Sequence, residues 1–269
     1  MSTPRFPGGT AVSGLRVYDW EATDGLHGGT PHVHTASSEA YVVVAGEGEV
    51  HTVTPEGVAA DPLAAGAVLW FAPGTVHRLV NSGGLEITVV MQNAGLPEAG
   101  DAVFTFPREV LADPGAYAAA AALPAEGPEE RRAERARARR DLALRGYWEL
   151  VASVRAEGTG ALEEFHRLAA EVVRPRVEEW REIWREGVER EVERTREQLA
   201  ALAGGDPGIM REAAVVRTEP KPGPRAFGMC GRLRTWRVAD TPGAREAPDS
   251  PETTDGPVVP SAPDDPEAP

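Results

Sequence analysis

Cysteine, lysine and aromatic residues are scarce in this chain of 269 residues, in which Cys230 is the only cysteine and Lys221 the only lysine. A single cysteine forms no intrachain disulfide, which agrees with a reducing compartment. Because Lys221 lies between two prolines, we expect neither a Walker A loop nor a Schiff-base site. No run approaches the ~18 apolar residues of a membrane helix, and residues 1–10 do not resemble a secretory signal. We therefore expect a cytoplasmic protein.

Basic residues are also in deficit. Acidic residues outnumber Lys and Arg by 42 to 28, which gives the chain a net charge of −14. A negative field repels phosphate backbones and anionic membrane surfaces, so we expect no nucleic-acid partner and no membrane partner. Arginines are concentrated between positions 131 and 140, but acidic residues interrupt them, and this pattern is typical of a solvated helix face.

The composition divides the chain into five parts. Residues 1–10 form an N-terminal arm, and residues 11–107 contain short β-type runs between turn signals, which predicts an all-β barrel or sandwich. Residues 108–203 are rich in Ala, Glu and Arg and are predicted to be helical. Residues 204–240 are a loop-rich segment in which 213–219 and 231–238 could add strands. Residues 241–269 are rich in proline and acidic residues and are predicted to be disordered.

Glycine and proline mark the turns between the predicted strands. Gly46, Glu47 and Gly48 separate the runs 40–45 and 49–54 and are predicted to form a hairpin turn, because glycine tolerates positive φ angles. Pro73 and Gly74 predict a second turn before the run 77–80. The other predicted strands are 15–20, 67–71 and 85–92.

Two long helices are predicted, over 128–157 and 161–203, with a kink or restart at Pro175. Apolar or small residues recur in the second helix at steps of three or four and form one stripe: Val177, Trp180, Trp184, Val188, Val192, Thr195, Leu199 and Leu202. The apolar side chains of such a stripe must be buried against another surface. An intramolecular helical hairpin and a dimer-forming pair of helices both satisfy this requirement.

Three histidines and one glutamate carry the chemical signal of the sequence. His32 and His34 are two positions apart, and on a strand such residues face the same side. The short polar residues at 35–38 suit a turn that returns Glu39 beside them, and His77 would come from a more distant strand. Neutral imidazoles and one carboxylate suit a divalent transition metal ion, with Fe, Mn, Ni, Co and Zn all compatible.

These residues resemble the two sequence motifs of the cupin superfamily. The first motif, a His-x-His pair followed by a glutamate and a glycine, corresponds here to His32, His34, Glu39 and Gly46. The second, a glycine, a Pro/Gly turn, a histidine and an asparagine, corresponds to Gly66, Pro73, Gly74, His77 and Asn81. Because a single motif pair is present, the chain looks like a monocupin with a C-terminal helical extension.

The resemblance implies a mainly β fold, in which residues 11–107 form a double-stranded β-helix barrel of jelly-roll type, followed by the helical region and the disordered acidic tail. It also implies that a divalent metal ion lies inside the mouth of the barrel, with His32, His34, Glu39 and His77 as ligands. Positions left open on such an ion favour catalysis. The implied partner is a small-molecule ligand or substrate, and similar proteins often form homodimers.

Two functions agree with these observations. The first is a metal-dependent enzyme of dioxygenase, isomerase or decarboxylase type acting on a small organic molecule, with Tyr41 as a candidate proton donor. A purely structural core role is the alternative for Tyr41. The second function is a non-catalytic module that binds or senses a small ligand while its helices mediate dimerisation or partner contact. Cys230 has no histidine near it in the sequence and is interpreted as an ordinary thiol.

Overall fold

The computed structural model describes residues 6–124 and 126–236, and in this part of the chain nine strands form one antiparallel sheet. The strands are β1 (Ala11–Val17), β2 (His32–His34), β3 (Glu39–Thr54), β4 (Gly57–Ala64), β5 (Val68–Phe71), β6 (Val76–Met91), β7 (Ala102–Phe104), β8 (Ala226–Phe227) and β9 (Gly231–Thr235). The helices are α1 (Arg108–Leu111), α2 (Pro114–Ala121), α3 (Glu129–Glu157), α4 (Gly160–Val173), α5 (Val177–Trp184) and α6 (Arg190–Ala203).

The two longest strands form the centre of the sheet. β3 pairs with β6 in antiparallel register, from Glu39 opposite Met91 to Val53 opposite Val76. The sheet order is β4-β3-β6-β1-β9-β8, with β5 added to β3 and with β2 pairing both β6 and β7. An apolar core fills the interior between these strands. The mainly β barrel of jelly-roll type, followed by helices, is therefore confirmed.

The predicted hairpin turn at Gly46, Glu47 and Gly48 is wrong. These residues lie inside the continuous strand β3, and the register with β6 shifts between Val43 and Gly48, which marks a β-bulge. Gly46 has a φ of 73°, and a side chain there would overlap the backbone of Gly84. The glycine is therefore required for the bend in β3 and for the close approach of β3 to β6. The chain bends here but continues in the same strand, instead of turning back as in a hairpin.

The helices cover one side of the barrel, as their apolar residues require. Their shared core contains Phe106 from the end of the barrel together with Tyr147, Leu162, Phe165 and Trp180 from the helices. Helix α3 extends over most of the first predicted helix, and Pro175 lies in a 3-10 turn (Arg174–Arg176) that separates α4 from α5. In residues 6–124 and 126–236, no helix is both long enough and apolar enough to cross a bilayer.

The segment after the helices returns to the barrel. β9 pairs with β1 in antiparallel register, with Ser13 opposite Thr235, so the sheet includes a strand near the predicted 231–238 run. Residues 213–219, which could have added a strand, form none, and this stretch is exposed, with Val215 97% exposed. Residues 237–240 and the predicted disordered tail at 241–269 lie outside the described residues.

At Gly146, α3 lies close to the end of the barrel, because a side chain at this position would overlap the backbone of Thr105, Phe106 and Pro107. Alanine in a helix interior usually adds about 0.5–1 kcal/mol of stability over glycine. We expect the opposite sign for Gly146→Ala, a loss of about 1–3 kcal/mol caused by overpacking. Urea unfolding measures this free energy. Gly160→Ala, where nothing lies within 4 Å of the added atom, is the control, and equal stability of Gly146→Ala and wild type would contradict the packing.

A partly buried ion pair of the barrel is also linked to α3 through Trp148. Arg78, which is fully buried on β6, donates to both carboxylate oxygens of Asp24, and the indole nitrogen of Trp148 donates to the same carboxylate at 3.3 Å. Burial acts to raise the pKa of Asp24, but the hydrogen bond and charge of Arg78 outweigh it and lower the pKa below 3.8.

We expect Asp24→Asn to lower the free energy of unfolding at neutral pH by about 2 kcal/mol, because Arg78 loses its charge partner. A carboxyl group whose pKa is lower in the folded state stabilises the protein at high pH and loses this effect as pH falls through its folded pKa. The difference between wild type and variant should therefore shrink below about pH 3.8. Denaturant unfolding across a pH series measures it, with the exposed Asp19→Asn as control. A pH-independent difference would contradict this account.

Candidate metal centre

The four predicted ligand side chains meet inside the barrel. His32 and His34 lie on β2, Glu39 begins β3, and His77 lies on β6 directly opposite His32 in the register. All four residues are buried, and one potential ligand atom from each lies within 4.8 Å of the others. The period of two along β2 turns both of its imidazoles inward, while the pairing of β2 and β3 with β6 delivers the other two groups. The cluster could hold one metal ion.

Each histidine ring is oriented by an acceptor on its Nδ1 side. Nδ1 of His32 lies 2.9 Å from the carbonyl oxygen of Thr30, and Nδ1 of His77 lies 3.0 Å from that of Thr75. Nδ1 of His34 lies 2.7 Å from Oδ1 of Asp101. Carbonyl and carboxylate oxygens only accept, so Nδ1 carries the proton in all three rings. In the neutral imidazoles, the Nε2 lone pairs are then left for a metal ion.

The contact between Glu39 and His77 shows that the cluster suits a cation. Oε2 of Glu39 lies 3.0 Å from Nε2 of His77, yet neither atom has a partner with hydrogen-bond geometry among the described residues. Oε2 of Glu39 is also 3.5 Å from Nε2 of His34. Buried polar atoms that lack a hydrogen-bond partner are costly. A metal ion that accepts these lone pairs would remove this cost, so the residues present fit a bound ion.

Burial and neighbouring charges set the protonation of the cluster. Burial, followed by the charges of His77 and His34, lowers the pKa of His32 well below its usual value, so this imidazole stays neutral. Burial acts to raise the pKa of Glu39, but the imidazoles of His77 and His34 outweigh it and lower this pKa. The cluster therefore keeps a carboxylate and at least one neutral imidazole, both of which are ligand forms.

Asp101 is a residue of the site that the sequence analysis missed. It is fully buried at the start of the segment leading into β7 and accepts a hydrogen bond from His34. Burial acts to lower the pKa of His34, but the hydrogen bond to Asp101, aided by the charges of Glu39 and Asp101, outweighs it and raises this pKa. A carboxylate in this position fixes the ring and makes the imidazole a stronger ligand.

Tyr41, the candidate proton donor, follows Glu39 on the inward face of β3 and is 1% exposed. Its ring packs edge-on against Phe71, with ring centroids 5.1 Å apart. Burial, and secondarily the negative charge of Glu39, raises the pKa of Tyr41 well above 10. The phenol therefore keeps its proton at neutral pH beside the carboxylate.

Cys230 also lies at the site, although the sequence shows no histidine near it. Its Sγ atom is 3.9 Å from Nδ1 of His32 and 3.7 Å from the carbonyl oxygen of Thr30. Burial raises the pKa of the Cys230 thiol, so it stays protonated. No local pattern could have revealed this contact, because His32 and Cys230 are 198 residues apart.

The barrel part of the chain matches a known protein family. The family model described as Cupin matches residues 22–114, and no curated protein matches the chain. Among solved structures, an uncharacterised protein with a double-stranded β-helix domain from Klebsiella pneumoniae is 23% identical, with a TM-score of 0.25, over 33% of this chain and 68% of that chain. A predicted oxalate decarboxylase from Thermotoga maritima is 25% identical, with a TM-score of 0.24, over 31% and 64% respectively.

A Cupin 2 conserved barrel domain protein from Salinispora arenicola is 21% identical, with a TM-score of 0.26, over 37% of this chain and 76% of that chain. All three similarities cover only about a third of this chain, and their low TM-scores transfer no activity to it. The family match, by contrast, falls on the part of the chain that forms most of the barrel and contains all four clustered side chains. Residues 22–114 of this chain, about a third of its length, are therefore similar to the Cupin family.

Proposed function

We propose that this cupin is a metal-dependent enzyme acting on a small organic molecule. His32, His34, Glu39 and His77 would hold one divalent transition metal ion, with Fe, Mn, Ni, Co and Zn as candidates. The observation that carries this proposal is the unsatisfied contact between Oε2 of Glu39 and Nε2 of His77, at 3.0 Å. This contact makes the metal-free cluster unfavourable and gives a cation a place to bind.

The reaction class we propose is dioxygenation, isomerisation or decarboxylation. A bound ion would supply Lewis acidity toward an oxygen-bearing substrate and, in the case of iron, redox chemistry. The chain itself supplies a buried, water-poor cluster in which electrostatic interactions are strong. Tyr41 would hold a proton at its hydroxyl oxygen beside Glu39, ready to donate a hydrogen bond to a substrate anion.

A small molecule is the proposed partner of this chain. Its single cysteine, which is free, supports a cytoplasmic location.

Metal analysis of the purified chain tests the ligand assignment. Wild-type protein should retain about one divalent ion per chain after dialysis, because all four ligands are prearranged. His34→Ala should weaken binding by more than the ~10-fold loss that is common for outer-sphere changes. His51→Gln is the control, since the His51 imidazole pairs with Glu49 at 2.9 Å on the outside of the barrel. Equal metal content in wild type and His34→Ala would contradict the assignment.

Glu39→Gln should change the stability of the metal-free protein and its metal binding in opposite directions. Its amide can donate to Nε2 of His77, so we expect the metal-free variant to be more stable than metal-free wild type by about 1 kcal/mol. The same change removes an anionic ligand and should weaken metal binding. Thermal unfolding in a chelator and in excess metal measures both effects, with the exposed Glu47→Gln as control. A Glu39→Gln variant less stable than wild type in chelator would overturn the argument from the unsatisfied contact.

The exposed side of α6 favours the second candidate function, a non-catalytic cupin that binds or senses a small ligand through a dimer. No residue of α6 is buried, and Val192, Leu199 and Leu202 are 52%, 63% and 47% exposed. In the first half of the predicted stripe Trp180 is buried, at 6% exposure, but Trp184 is 39% exposed, and this second half is also left exposed. A second copy of the chain that supplies its own α6 would bury these side chains.

Light scattering of wild type and of Leu199→Glu/Leu202→Glu tests this candidate. We expect a dimer for wild type and a shift to monomer for the variant, because two carboxylates would be buried in an apolar interface. Glu197→Ala, on the opposite face of α6, should leave the dimer unchanged. A wild-type monomer at all concentrations would exclude self-association through α6, and metal-dependent turnover by that monomer would favour the enzyme.

A further inference from the structure

We propose that the helical extension forms part of the metal centre, with His166 of α4 and Trp180 of α5 as positioning residues. Each contacts a loop of the barrel that is itself hydrogen-bonded to a metal-ligand histidine. The inference rests on the proposed function, because it assigns these two residues to the same ion-binding cluster. The positioning of metal ligands would be a role of the helices that is separate from dimerisation and from covering the barrel.

The first connection passes through the turn that precedes β6. Nε2 of His166 lies 2.7 Å from the carbonyl oxygen of Gly74, to which it donates a hydrogen bond. The backbone N–H of Gly74 donates to the carbonyl oxygen of His34 at 2.9 Å, and the carbonyl oxygen of Thr75 accepts from Nδ1 of His77 at 3.0 Å. A single turn held by α4 therefore determines the ring orientation of His77 and the backbone position of His34.

The second connection passes through the loop between β6 and β7. The indole nitrogen of Trp180 and Nη1 of Arg176 both donate to the carbonyl oxygen of Ala99, at 3.2 and 3.0 Å. Two residues later, Asp101 accepts from Nδ1 of His34 at 2.7 Å, and its backbone oxygen accepts from the N–H of Thr35 at 3.0 Å. The helix thus fixes the loop that carries the carboxylate orienting the His34 ring.

His34 is the residue on which both connections meet. Its backbone is held through Gly74 and its ring through Asp101. The direction of the Nε2 lone pair depends on both, since a tilt of the ring moves this atom away from the other ligands. Outer-sphere hydrogen bonds that orient histidine ligands commonly change metal affinity by about 10–100-fold. A barrel consisting of residues 11–107 alone would lack every donor that α4 and α5 supply.

Cobalt(II) binding followed by visible absorption tests this inference on the full chain. The variants are His166→Phe, which keeps a ring but removes the donor, and Arg176→Met/Trp180→Phe, which removes both donors to Ala99. We expect each to bind cobalt about 10-fold more weakly and with an altered absorption spectrum. His166→Gln, whose amide can donate to Gly74, should restore part of the affinity. Trp184→Phe and His51→Gln are the controls and should match wild type.

Thermal unfolding in a chelator separates positioning from general stability. The inference predicts weaker cobalt binding in variants whose metal-free unfolding midpoint stays near that of wild type. Unchanged cobalt affinity and spectrum in His166→Phe and in Arg176→Met/Trp180→Phe would overturn the inference while leaving the proposed function intact. Failure of wild type to bind cobalt would overturn both. Should the double variant not fold, Trp180→Phe alone decides, with weaker binding supporting the inference and unchanged binding overturning it.

Discussion

The mutual placement of Glu39 and His77 is the constraint on which the candidate site depends. A carboxylate oxygen and an imidazole nitrogen lie 3.0 Å apart in a buried interior, with no partner in hydrogen-bond geometry among the described residues. Folding tolerates such a contact only because the surrounding strands impose it. The two residues are on β3 and β6, whose long antiparallel pairing is the most extensive in the sheet. The stability of the barrel therefore maintains a cluster that is unfavourable until a cation binds.

The local sequence determines this cluster to a large extent. His32 and His34 face the same side because successive strand residues alternate, and Glu39 follows after a short polar turn. The family resemblance added His77, which no local pattern could place beside them. The local pattern gave the wrong prediction at the glycine-rich stretch around Gly46. A β-bulge and a hairpin turn both place a glycine at a positive φ angle, so the glycine does not distinguish them. Only the pairing with β6 decides between the two.

The residues that support the ligands could not be predicted in this way. Asp101 reaches His34 across 67 positions, His166 reaches Gly74 across 92, and Cys230 reaches His32 across 198. Each is an ordinary residue in its own segment, and its importance arises only from the packing of distant segments. The amphipathic stripe predicted that the helices pack, but it did not show which of its residues would be buried. In α5 Trp180 is buried while Trp184 is exposed, and α6 has no buried residue.

The return of the chain to β1 has a consequence for how the protein is made. β9 covers one edge of β1, and the hydroxyl group of Tyr18 donates to the carbonyl oxygen of Gly228, 210 residues further along the chain. During synthesis, the ribosome completes all of the helices before this edge is covered. The nascent barrel thus presents an unpaired strand to the cellular environment for most of its translation, which exposes it to chaperones and to faulty strand pairing.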